Sequence, residues 1–119
     1  MPLDPRSFLP LRPVDFLLLL ALVDDEQHGY SLARELAQRT DDVVRLEPSN
    51  LYRVVKRLVD DGLVAVSARR PAPELDDERR TYYRLTPFGA QVAALEARRL
   101  RSLLGTKQAR SLALLLEPS

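Results

Sequence analysis

From Glu47 to Val64 the chain reads Glu-Pro-Ser-Asn-Leu-Tyr-Arg-Val-Val-Lys-Arg-Leu-Val-Asp-Asp-Gly-Leu-Val, and no other stretch constrains the fold as much. Leu51, Val54, Val55, Leu58 and Val59 recur at the three- and four-residue spacing of a helix lying on a core. The positions between them carry Ser49, Asn50, Arg53, Lys56 and Arg57, so the opposite face is hydrogen-bonding and cationic. Pro48 suits the first turn of such a helix and Gly62 its stop. Leu63 to Ala68 then reads as a strand. An ordinary amphipathic surface helix usually mixes charge on its outer face, whereas here the acids after Glu47 are confined to Asp60 and Asp61.

A basic helix, a glycine stop and an immediate strand describe the third helix and first wing strand of a winged helix-turn-helix. The rest of the chain reads accordingly. Residues 1–13 hold four prolines and form an extended arm, with Leu3, Phe8, Leu9 and Leu11 able to dock. A first helix runs from about Val14 to Asp25. Its run Phe16 to Val23 is apolar on every side, so it asks for burial on every side, with a second subunit as the simplest cover. The second helix covers about Gly29 to Thr40, and Thr40 to Leu46 is the turn. The wing continues through a loop, Arg69 to Arg80, into a strand from Thr81 to Leu85. Thr86-Pro87 starts a last helix, Thr86 as N-cap. That helix carries two stripes: Phe88, Val92 and Leu95 toward the wing domain, and Ala90, Ala93, Ala97, Leu100 and Leu104 as a seam for a facing helix. Gly105-Thr106 breaks it before a short apolar ending. The fold class is mainly α with a small β-hairpin, a winged helix-turn-helix over residues 14–86 and a dimerisation helix and tail over 87–119.

Composition narrows the function. With 119 residues and 45% hydrophobic content, the chain supports one domain with a modest core. A formal net charge of +1 excludes a nucleic-acid coat held by bulk charge, so cations for DNA must gather on one face. The absence of cysteine removes thiol chemistry and the usual structural zinc sites. The apolar run Phe16 to Val23 is too short to cross a bilayer and lacks the frame of a signal peptide, so a soluble cytoplasmic protein is expected. His28, the single histidine, stands before Gly29 at a helix start and suits a capping role; no metal or cofactor is expected. No nucleophile–base set or glycine-rich phosphate loop points to an enzyme.

In a winged helix the first residues of the third helix meet base edges. Ser49, Asn50 and Arg53 are therefore the candidates for direct readout, Asn for adenine and Arg for guanine. Lys56 and Arg57 lie further on and suit phosphates. Tyr52 has two readings, a hydroxyl on a phosphate or a half-buried aromatic at the core rim. Arg69, Arg70, Arg79 and Arg80 flank the wing loop, either gripping the DNA backbone or pairing with Glu74, Asp76, Asp77 and Glu78. Phe16, Leu19, Leu20, Ala93, Ala97, Leu100 and Leu104 are the expected subunit contacts.

The segments LLLLAL, HGYSLAREL, PSNLYRVVKRLVDDGLV and RRTYYRLTPFG, in this order, resemble the PadR family of prokaryotic transcriptional regulators. The resemblance covers about Val14 to Leu104. It implies a homodimer that binds a palindromic promoter operator in double-stranded DNA and represses transcription, and a small hydrophobic or phenolic effector that releases it. A winged-helix module that binds protein is the alternative. Two features depart from the family pattern. Family third helices often read Pro-Gly-Thr-Leu-Tyr-Pro, whereas this chain has Pro48-Ser49-Asn50-Leu51-Tyr52-Arg53, and its wing tip carries four acids that repel phosphate.

Overall fold

The computed structural model describes residues 3–68 and 81–118. A 3-10 turn, Pro5–Phe8, leads into α1 (Pro13–Ala21), β1 (Gln27–His28), α2 (Gly29–Arg39), α3 (Pro48–Asp60), β2 (Val64–Val66), β3 (Tyr82–Leu85), α4 (Pro87–Leu104) and α5 (Lys107–Leu114). The strands form one antiparallel sheet in the order β1-β3-β2, with Val64 opposite Leu85 and Gln27 opposite Tyr83.

Local chemistry sets the boundaries. Pro13, Pro48 and Pro87 occupy first turns, where a missing N–H is no loss. α1 ends four residues before the expected Asp25, because the side-chain amide of Gln27 donates to the Ala21 carbonyl (2.6 Å) and fixes the exit. His28 caps α2 as expected, its Nδ1 accepting from the Ser31 N–H at 3.3 Å. Asp41 and Asp42 take positive φ in the turn after α2, a conformation that short polar side chains tolerate. At the end of α3 the Leu63 N–H donates to the Leu58 carbonyl and the Gly62 N–H to Val59, a Schellman closure with Gly62 at φ 80°. Thr86 accepts from the Gly89 N–H at 2.9 Å and donates to the Gly62 carbonyl at 2.7 Å, so one hydroxyl caps α4 and ties it to the end of α3.

The core lies where α1, α2, α3 and α4 meet, around Leu18, Leu32, Leu36, Leu51, Leu58 and Val92. α4 approaches so closely that a Cβ on Gly89 would lie 2.0 Å from the Leu63 carbonyl oxygen. That contact orients the buried face of α4 as Gly89, Val92, Ala93 and Glu96. Two expected subunit contacts are corrected by this packing. Ala93 is 7% exposed and Leu19 0%, so both belong to the protomer's own core and neither has surface to offer a partner. Phe16, Leu20 and Leu100 are half-buried, and Ala97 and Leu104 exposed.

The arm docks instead of extending. Phe8 meets Phe88 edge to face at 5.6 Å, and the Leu11 N–H donates to the buried Glu96 carboxylate at 2.7 Å. Glu96 also accepts from Arg99 Nε. This contact, ahead of all others, holds its carboxyl below the usual range against the opposing effect of burial. The expected break at Gly105-Thr106 is present, with Thr106 capping α5. Leu104, Leu112, Leu114, Leu115 and Leu116 are all exposed.

Candidate nucleic-acid interface

α2, the turn and α3 form the helix-turn-helix, and β2 and β3 are the wing strands. Leu51, Val55 and Leu58 anchor α3 in the core, which turns Ser49, Asn50, Arg53 and Lys56 outward along one exposed face. Arg53 makes no ion pair or side-chain hydrogen bond with any described residue. Lys56 lies 3.3 Å from Asp60, both well exposed. An exposed pair of this kind holds its partners by roughly 0.3–0.5 kcal/mol, too little to keep Lys56 from a phosphate.

Arg57 does not stand with these cations. Its two terminal nitrogens each donate at 2.8 Å to an oxygen of Asp15 on α1, a bidentate pair. Arg57, expected at a phosphate, is here turned toward α1, where a buried carboxylate needs a counter-charge. The Asp15 hydrogen bonds raise the Arg57 pKa further above its ordinary value.

Tyr52 sits half-buried over Gly29, where a Cβ would come within 2.7 Å of its hydroxyl. Burial pushes the pKa of the Tyr83 hydroxyl up, with a smaller contribution from Tyr52. Arg69, Arg70, Arg79, Arg80 and the wing-tip acids lie outside the described residues.

Two features of the face were not read from the sequence. Exposed Tyr30, with Gly29, Ala33, Pro48, Leu51 and Tyr52, lines a small apolar cleft between the starts of α2 and α3. Asp15 is the second: it stands on the stripe of Leu18, Leu19 and Leu22, which follow it at i+3, i+4 and i+7. An acid at such a position signals a buried ion pair.

A three-helix core, a hairpin wing and an outward polar face on the third helix define a winged helix-turn-helix protein. The model of the transcriptional regulator PadR-like family matches residues 18–95. The chain belongs to that family, which is one of regulators and not of enzymes. It is similar to an uncharacterized protein of Lysinibacillus sphaericus, 25% identical over 71% of this chain and 74% of that one. Among solved structures it resembles hsRosR, from H. salinarum, in its S4 complex, with a TM-score of 0.69 and 23% identity over 95% of this chain and 92% of that one. Bacillus subtilis PadR in complex with operator DNA gives a TM-score of 0.59 and 22% identity, covering 71% of this chain and 46% of that one. No helix among the described residues is long and apolar enough to cross a membrane.

Proposed function

We propose that this protein is a cytoplasmic homodimer that binds a pseudo-palindromic operator in double-stranded DNA and represses transcription. The observation that carries the reading is the outward face of α3, where Ser49, Asn50, Arg53 and Lys56 stand together and exposed. Ser49, Asn50 and Arg53 read bases, and Lys56 meets phosphate. The arginines flanking the wing loop, Arg69, Arg70, Arg79 and Arg80, add backbone contacts. Residues 14–86 act as the DNA-binding domain and 87–119 as the dimerisation part, with residues 1–13 as an arm bound to it.

Dimerisation is supported by Leu104, Leu112, Leu115 and Leu116, which leave one end of the protomer apolar and open to water. Two α3 helices would then address half-sites about 34–36 Å apart, one turn of DNA. The proposed small hydrophobic effector would enter at the surface formed by the two subunits.

The test is a gel-shift on the DNA upstream of the protein's own coding region, at two salt concentrations, alongside sedimentation. A complex that unrelated DNA does not displace, formed by a sedimenting dimer, is expected. Equal affinity for upstream and random DNA would remove the reading in favour of a protein-binding winged helix.

A further inference from the structure

The pairing of Asp15 with Arg57 has a consequence for how the face of α3 meets a polyanion. Arg57 follows Asn50 and Arg53 along the helix at i+7 and i+4, so by position it belongs to the outward face. Its side chain is nevertheless only 38% exposed, against 79% for Lys56 one residue earlier. The cause is Asp15, whose side chain is 6% exposed and draws the guanidinium inward toward α1. Both terminal nitrogens are engaged, and the pair carries no net charge. Salt-dependent affinity for DNA follows the number of phosphates neutralised, so a cation already matched to a carboxylate contributes little.

We propose that Asp15 is an affinity-setting residue: it withholds the Arg57 charge from DNA and so lowers the backbone affinity that α3 would otherwise have. The inference rests on the DNA-binding reading above. Under it, the face discriminates through Ser49, Asn50 and Arg53 while its electrostatic grip is held down. Lower non-specific grip favours specificity, since phosphate contacts act on every sequence alike.

The experiment uses the full-length protein and an operator duplex selected by the wild type from random-sequence DNA, titrated across a series of salt concentrations. Asp15→Asn keeps the shape of the side chain and releases the charge of Arg57. It should bind more tightly at low salt and steepen the plot of log K against log salt by about 0.9. The Asp15→Asn/Arg57→Gln double variant replaces a neutral ion pair by a neutral amide pair and should keep the wild-type slope. Circular dichroism melts establish which variants fold, and Asp15→Ser is the second single variant should Asn not pack.

An unchanged slope in a folded single variant would overturn the proposal and leave the pair a purely structural tie. A shallower slope in the double variant would also overturn it, because Arg57 would then be a phosphate contact. Collapse of both single variants would make the pair a requirement of the fold, again against the proposal. Absence of sequence-selective binding by the wild type overturns the DNA reading itself, an outcome distinct from all of these.

Discussion

Asp15 and Glu96 each stand on the stripe of their helix that faces the core. Both are nearly inaccessible to water, and both are stable there because hydrogen-bond donors were brought to them. Glu96 accepts from one backbone N–H and one guanidinium, which holds its carboxyl below the usual range. A carboxylate with a depressed folded pKa stabilises the fold above its unfolded pKa, and that contribution disappears as pH falls through the folded value. Wild type should therefore exceed Glu96→Gln in stability by roughly 1.5–3 kcal/mol near neutrality, the usual range for a charged hydrogen bond. The gap in melting temperature should close as the pH falls below the usual carboxylate range, and a gap that widens in acid would refute this account. At the DNA face, Arg53→Ala should flatten discrimination between operator variants by roughly 1–3 kcal/mol, read from titrations of single-base substitutions. Identical profiles for the variant and wild type would remove Arg53 from the reading set.

Most elements of the fold were legible in the sequence because each has a local cause. Pro48 and Gly62 bound α3, Thr86 caps α4, Thr106 follows the break at Gly105, and the apolar stripe of α3 buries Leu51, Val55 and Leu58. What could not be read depends on distant partners. β1 has two residues, too few for alternation to show, and exists because β3 lies beside it. The repeat of small residues places Ala93 on an outer seam, but the rotation of α4 is fixed by Gly89 pressing on the Leu63 carbonyl. The same ambiguity hid the commitment of Arg57, since helical periodicity shows that it faces outward but not which carboxylate reaches it. Gly89→Ala should lower stability by roughly 1–3 kcal/mol or more, as overpacking does, because backbone is what the new methyl would meet. Gly105→Ala is the control, with its nearest contact at 3.4 Å and a helical φ of -82°. Equal melting temperatures for the two variants would show that α4 is not seated by this contact.

At the scale of the whole molecule, the outer ends of α4 and α5 leave a row of leucines in water. Leu104 is 71% exposed, so a charge there should barely affect folding of the protomer while opposing burial between subunits. Leu104→Glu is therefore expected to sediment as a folded monomer, with a wild-type circular dichroism spectrum. A dimer that survives the change would move the subunit contact elsewhere.

The bond from Leu11 to Glu96 joins residues 85 apart in sequence, and nearly the whole winged domain lies inside the loop it closes. Contacts of such long range are entropically late, and on a ribosome the arm must wait for α4 to be synthesised before it can dock. The arm is expected to detach as a local opening of lower free energy than global unfolding. The Leu11 amide reports that event directly. Its hydrogen–deuterium exchange should be faster than that of core amides such as Leu36 or Leu58 and should accelerate further in Glu96→Gln. Exchange of Leu11 at the rate of global unfolding would mean that the arm and α4 come apart only when everything between them does.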